Sequence, residues 1–369
     1  MGNINVPGLV LGTNMNILLL SRYTRLGASS RLRTMQYLPE LLSHGFKIEI
    51  APFFDDAYLN NLYSGQRNKI SVIKNLVDRL KIIKKKPHPD MIWIEKEVLP
   101  WIPWFIENSL LPKNVPIISD YDDAVFHRYD MHKNKIIKSI LGNKIKKVMR
   151  SSSLVMVGNP YLQDYAINSG AKRVFIIPTV VDLKAYDICK KPLYQSKPRV
   201  GWIGTPQTWQ ELANPIHKVL DPVLKKHDSL FRAVGAKMNQ SESGTLEIIP
   251  WKEESEVELI KTMDIGVMPL PDNPWTRGKC GYKLIQYMAC GIPVVASSVG
   301  VNRNIIEDGI NGFLVKNENE WRDAINLLLN DSNLRNSMGA AGRKKVQEEY
   351  SLQTWSPRLI DMILLAREN

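Results

Sequence analysis

Twelve short apolar runs, set in two series of six with helix-like stretches between them, limit the possible folds more than any other feature of the sequence. The first series reads "NILLLS", "FKIEIAPFF", "DMIWIE" (Asp90–Glu95), "VPIISDYDD" (Val115–Asp123), "SLVMVGN" (Ser153–Asn159) and "RVFIIPTVVD" (Arg173–Asp182). The second reads "RVGWIG", "LFRAVG", "LEIIPW", "DIGVMPL", "IPVVASS" and "NGFLV". Runs that are continuously apolar, rather than alternating, mark strands buried on both faces, and these belong to parallel sheets covered by helices. The polar stretch "LKAYDICKKPLYQSKP" (Leu183–Pro198) separates the series and reads as a linker. A chain of 369 residues is long enough for two such cores. The expectation is an α/β protein of two Rossmann-like, doubly wound domains facing a central cleft, with ligands at the carboxyl ends of the strands.

The net charge of +12 is unevenly placed. Through Lys184 there are 26 Lys and Arg against 15 Asp and Glu, and the remainder carries 23 against 22. So one-sided a field implies an anionic partner, or else a rim of solvated lysines. "KNKIIKSILGNKIKKVMR" (Lys133–Arg150) places Ile137, Leu141, Ile145 and Val148 at helical spacing among basic residues. Such a helix either lies on an anionic bilayer or packs its apolar stripe on the core. Aromatic platforms for nucleic acid are absent from this half, so no nucleic-acid partner is expected. No apolar run approaches the roughly 20 residues of a membrane span, and no basic n-region precedes the first strand, Met15–Leu20. Residues 1–14 read as a short leader. Cys189, Cys280 and Cys290 have neither metal-ligand spacing nor an even count, which fits a reducing cytoplasm. The expected location is cytoplasmic, peripheral on the inner face of the membrane.

The densest local constellation is "GKCGYKLIQYMACGIPVVASSVG" (Gly278–Gly300). Gly281 opens a helix whose first N–H groups are unpaired and suit a phosphate. Lys279 lies just before that turn and Lys283 just inside the helix. Gln286 shares a face with Lys283, and Tyr282 stands at the first position. The plain alternative is a core helix with solvated lysines.

With its surroundings, "DIGVMPL…WTRGKCGYKLIQYMACGIPVVASSVGVNRNIIEDGINGFLV" resembles the donor-binding region of retaining, GT-B-fold glycosyltransferases of family 4, over about 60 residues. The branch it resembles is common in bacterial surface-polysaccharide gene clusters. The resemblance implies a GT-B architecture with an acceptor-binding domain over 1–185 and a nucleotide-sugar domain over 186–350. A C-terminal helix over 351–369 would return to the first. It also implies that Gly204 and Thr205 line the phosphate end of the donor site. Of the family's Glu-x7-Glu pattern, the second glutamate falls on Gln286, which can serve the nucleotide ribose without its charge, and the first falls on Gly278. The Arg and Lys usual after the first strand of the second domain are missing from "GWIGTPQTWQEL", so Lys279 and Lys283 are expected to supply that charge.

In the first half, "RLGASSRLR" (Arg25–Arg33) follows the first strand. Ser29 and Ser30 can cap the next helix, Gly27 keeps the loop low, and Arg31 and Arg33 can grip an acceptor phosphate. These five are the acceptor-site candidates. "SDYDDAVFHRYD" (Ser119–Asp130) puts three carboxylates at a strand end. Asp122 or Asp123 can orient or deprotonate an acceptor hydroxyl, His127 is the other catalytic candidate, and Asp123 reads equally as a helix N-cap. Asp120 and Asp122 superficially match a metal-binding D-x-D. No metal or cofactor is expected, since lysines and helix dipoles neutralise the diphosphate in the resembling fold.

Together these features predict a hexosyltransferase. It would move a hexose from a nucleoside-diphosphate sugar to a glycan hydroxyl, lipid-linked or soluble, with retention, in O-antigen or capsule synthesis. The alternatives are a sugar-nucleotide epimerase or phosphorylase of the same fold, or a binding subunit without turnover.

Overall fold

The computed structural model describes residues 14–64, 69–186, 197–237 and 244–368. The predicted leader and most of the predicted linker, Cys189 included, lie outside the described residues. The chain forms two compact units. The first runs to Thr179, takes back the short segment Gly278–Cys280, and is completed by the chain from Trp355 onward. The second comprises Val180–Arg277 and Gly281–Thr354.

The first unit holds six described parallel strands: β1 (Asn16–Leu20), β2 (Lys47–Ile50), β3 (Met91–Glu95), β4 (Ile117–Tyr121), β5 (Leu154–Val157) and β6 (Val174–Ile176). Their order is β2-β1-β3-β4-β5-β6. Every residue of β3, β4 and β5 is buried, which fits their largely apolar sequences, with the polar Glu95, Ser119 and Asp120 towards the strand ends. Winding changes direction between β1 and β3. The ends of those two strands form the topological switch point where a doubly wound sheet opens a crevice.

The second unit holds β7 (Arg199–Ile203), β8 (Leu230–Val234), β9 (Leu246–Ile249), β10 (Ile265–Met268), β11 (Val294–Ser297) and β12 (Gly312–Val315). The order β12-β11-β10-β7-β8-β9, again all parallel, is the dinucleotide-type winding with its switch point between β7 and β10. Alternate residues feed two cores, one on each face. Ile203, Met268, Val294 and Leu284 pack on one side, and Trp202, Val267, Phe231 and Trp321 on the other. Gly266 has no side chain because a Cβ there would stand 2.4 Å from the Tyr287 ring. The helix Tyr282–Ala289 thereby lies directly on β10.

The last helix, Leu352–Arg367, leaves the second unit near its start, and its remainder packs in the first. Arg173 Nη1 donates to the Leu365 carbonyl at 2.7 Å. The single basic helix expected over Lys133–Arg150 is corrected to two, Lys135–Leu141 and Lys144–Ser151, broken at Gly142–Asn143. Leu141, Ile145 and Val148 are core residues and Ile137 packs against them, so the predicted apolar stripe faces inward.

Candidate functional site

At the switch point of the first unit, the chain after β1 meets the chain after β3 in a buried network of charges. Ser29 Oγ lies 2.6 Å from Asp122 Oδ2 and 3.0 Å from Glu95 Oε1. Ser30 Oγ donates to Glu95 Oε2 at 2.5 Å and accepts from the Tyr23 N–H at 3.0 Å. Neither serine caps the helix Ala28–Arg33, contrary to expectation. Gly27 is its N-cap, and a Cβ there would collide with Tyr23. Both hydroxyls are drawn instead to carboxylates on distant strands.

Sequence reasoning missed the centre of this network, Lys96. It sits one residue past β3 with φ of 68°, a left-handed conformation that costs a non-glycine residue of order 1 kcal/mol or more. That turn aims its ammonium at Asp122 Oδ1 (2.8 Å), Asp123 Oδ2 (3.8 Å) and Ser29 Oγ (3.1 Å). Burial alone would push the Asp122 carboxyl up. The Lys96 charge, hydrogen bonds from Lys96 and Ser29, and Arg33 reverse this and hold it well below the usual carboxylate range. Glu95 goes the other way, because burial outweighs its neighbours and raises it. Asp122 is thus a fixed anion. Asp123, with 27% of its side chain exposed, is the accessible carboxylate of the pair and is shared between Lys96 and Lys279.

The structure reassigns several predicted residues. Arg33 is buried, with Nε and Nη2 forked on Asp120 and Nη1 donating to the Ile177 carbonyl, so its fork is already filled. Arg31 is also buried and donates to the Arg25 carbonyl at 3.5 Å. Lys279 Nζ pairs with Asp123 Oδ1 at 2.9 Å, and Asn159 Nδ2 donates to the Gly278 and Lys279 carbonyls. Asp123 is not a helix cap: the short helix His127–Asp130 begins after Phe126. His127 has both ring nitrogens engaged, Nδ1 with Asp130 at 2.8 Å and Nε2 with the Tyr161 hydroxyl at 2.7 Å. Lys144 is buried between Glu97 (2.7 Å) and Glu107 (2.8 Å), beside the Arg22–Glu97 pair, and cannot face a membrane. Burial lifts Glu107 to about 7 against the pull of Lys144.

In the second unit the geometry is sparser. β7 ends at Ile203 and is followed by Gly204 and Thr205. Thr205 forms a capping box with Thr208 at the start of the helix Pro206–Thr208. The chain then winds through a π-helical turn, Trp209–Ala213, of the kind often found at functional sites, into the helix Asn214–Lys226. After β10, Gly281 adopts φ of 67° and starts the helix Tyr282–Ala289. The Tyr287 hydroxyl accepts the Ile203 N–H at 3.1 Å, which places this helix against the end of β7. Two helices therefore start at the β7/β10 switch point. The one at Gly281 opens with the N–H groups of Tyr282 and Lys283, whereas at Thr205 the first residue is Pro206 and the Thr208 N–H is taken by the Thr205 hydroxyl. Lys283 Nζ lies 5.7 Å from the Trp202 ring centroid. Gln286 is 3% exposed, and its amide donates to the Tyr186 hydroxyl (3.0 Å) and to Glu256 Oε1 (2.6 Å). The expectation that it meets a sugar is corrected: its hydrogen atoms are committed to the protein. Glu256, which also accepts from Trp251 Nε1, is the carboxylate that sequence reasoning missed there.

Residues 197–331 match the family model of glycosyl transferases group 1. The chain is 30% identical over 78 residues to spore coat protein SA of Bacillus subtilis (strain 168). That segment is 20% of this chain and 21% of the relative, so the chain aligns with about a fifth of that protein. Among solved structures, a sucrose-phosphate synthase from Thermosynechococcus elongatus superposes with a TM-score of 0.69 at 15% identity, covering 95% of this chain and 98% of that one. Anabaena HepE, in complex with UDP and glucose, gives 0.66 at 16%, covering 95% and 99%. The chain has the GT-B fold. Its glycosyl transferases group 1 match covers the unit that carries the β7/β10 switch point.

Proposed function

We propose that the protein is a hexosyltransferase that uses a nucleoside-diphosphate sugar as donor and a glycan hydroxyl as acceptor, with retention of configuration. The observation that carries this reading is the family match over 197–331, which falls on the unit where Gly281 and Thr205 start two helices at one switch point. Helix starts of this kind bind a diphosphate through backbone N–H groups, with Gly204 allowing close approach. We assign the departing diphosphate's cation to Lys283, which stands in the first turn of the helix that Gly281 starts; Lys279 pairs with Asp123. Tyr282 flanks the same turn. A preorganised charge aimed at the leaving group stabilises the transition state without a nucleophile on the enzyme.

In the first unit, Asp123 is the group we assign to the acceptor hydroxyl, as orienter or base, and Lys96 and Lys279 hold it in place. A lipid-linked acceptor in O-antigen or capsule synthesis fits the excess of basic residues in this half. HepE holds UDP, which makes uridine nucleotides the first donors to try.

The test is a thermal-shift series with nucleoside diphosphates and sugar nucleotides, followed by transfer to glycan acceptors. Binding to the native state raises stability with ligand concentration. No shift with any nucleotide would overturn the reading. A second reading, donor binding without turnover, is favoured by the protein partners that occupy Gln286 and Lys279. A saturable thermal shift with neither transfer nor hydrolysis would establish it.

A further inference from the structure

We infer that the first unit carries a membrane-facing surface built on the outer side of the helix Lys135–Leu141, the side opposite to the stripe its sequence pattern suggests. Ile136 and Ile140, one helical turn apart, are 68% and 57% exposed. Met131, just before this helix, and Trp101 and Phe105 of the same unit are also exposed large apolar residues. The Trp101 ring meets the Tyr129 and His132 rings edge-on at 5.2 and 5.9 Å, which places it beside the turn that carries Met131 into this helix. A Cβ at Gly142, just past the helix, would lie 3.7 Å from the Asp130 Cα, so the helix folds back on His127–Asp130. Trp101 is held there with φ of 67° while the Tyr129 hydroxyl accepts its N–H, so the ring's exposure is built in.

The occupant is argued from charge. Around these apolar groups stand Lys133, Lys135 and Lys138, each exposed and paired with no carboxylate among the described residues. Lys146, Lys147 and Arg150 continue the basic surface along the following helix. The one carboxylate between Arg128 and Arg150 is Asp130, which is occupied by His127. Apolar side chains ringed by unpaired lysines match an anionic bilayer, whose headgroups attract the rim and whose acyl boundary takes the isoleucines and the tryptophan. A soluble acidic protein would satisfy the lysines but not the apolar centre. The inference deepens the proposed transfer to a lipid-linked acceptor, but its test needs no turnover.

The experiment is co-sedimentation of the full chain with vesicles of phosphatidylglycerol and phosphatidylcholine at low and high salt, and with phosphatidylcholine alone. Wild type should pellet with anionic vesicles, less so at high salt and least with neutral ones. Ile136→Ser with Ile140→Ser should weaken binding about tenfold or more. Lys135→Glu with Lys138→Glu should weaken the salt-sensitive part about tenfold or more, since two cations become anions. Ile73→Ser, at another exposed isoleucine of the same unit, should change nothing. All these sites are exposed, and unchanged melting temperatures and donor-induced shifts would show that folding and the proposed donor site are intact. Absence of pelleting by wild type at low salt would overturn the inference, as would wild-type pelleting of the double serine variant. Loss of donor binding by wild type would instead count against the transfer reading.

Discussion

The switch points of the two sheets are furnished in opposite ways. At the first, ionisable groups neutralise one another: Arg33 with Asp120, Lys96 with Asp122, and Lys144 with Glu97 and Glu107. At the second there is one lysine, two helix starts and a buried amide. The first site is therefore costly to disturb, whereas the positive potential of the second comes largely from the backbone of a helix start. Buried pairs contribute little net stability but are strongly destabilising when one partner is removed. A ligand site shows the reverse behaviour, with small effects on folding and large effects on binding.

The largest effect expected from this contrast is on stability. Lys144→Ala would leave Glu97 and Glu107 buried without their shared cation, at a cost of about 3–5 kcal/mol. Urea unfolding would measure it. A loss under about 1 kcal/mol would mean that the first network is not electrostatically closed. In the second unit, Lys283→Ala should hardly change urea stability but should cut turnover about 10²-fold, the scale on which a preorganised transition-state partner acts. Equal stability losses for the two variants would erase the contrast.

How far each region was legible follows from where its partners lie in the chain. All twelve runs contain strands; burial on both faces restricts residue type most in β3, β4 and β5, whereas the largely exposed β2 carries Lys47 and Glu49. The second unit's helix start was legible for a similar reason: Gly281, Tyr282 and Lys283 are adjacent in sequence, and the left-handed turn needs its glycine. The first unit's network was not. Ser29 and Asp122 are 93 positions apart, and Lys144 and Glu97 are 47 apart, so only the strand order β2-β1-β3-β4 brings them together. Gln286 was misjudged because its acidic partner, Glu256, stands on a different helix. The basic segment's stripe was left open between bilayer and core because a helix with isoleucines on two faces has no unique inward side from periodicity alone. Burial of Leu141 and Ile145, with Ile136 and Ile140 outside, settles it.

A smaller effect separates the two regions by pH. Glu107 is lifted to about 7 by burial, and its Oε2 has no hydrogen-bond partner among the described residues. The folded state therefore binds this proton more tightly than the unfolded chain does. This contribution is full below about 4.5 and is lost as pH rises to about 7. Glu97 is depressed, chiefly because Lys144 and Arg22 overcome its burial, so its contribution is lost on the acid side instead. Comparison with Glu107→Gln, which mimics the neutral acid, isolates the first slope. Wild type should lose roughly 2 kcal/mol more than the variant between pH 5 and pH 7.5. Parallel pH profiles would show that Glu107 is ionised throughout.

The smallest expected effect is none at all, on chelation. A divalent metal between protein and diphosphate would need carboxylates with lone pairs to offer, and the D-x-D pattern of Asp120 and Asp122 is the candidate the sequence presents. Asp120 has both oxygens on the Arg33 guanidinium, and Asp122 has one on Lys96 and the other on Ser29. A cation would have to displace two buried positive charges to reach them, and those charges, once unpaired, would bear the full cost of burial. On the proposed reading, Lys283 and the helix start at Gly281 would supply in the second unit what a metal would supply to the leaving group. Transfer should therefore proceed at the same rate after dialysis against EDTA, and added Mg²⁺ or Mn²⁺ should not raise it. If EDTA abolished transfer and Mn²⁺ restored it, the ion pairs of Asp120 and Asp122 would have to open during turnover, and the first switch point would be the adaptable one of the two.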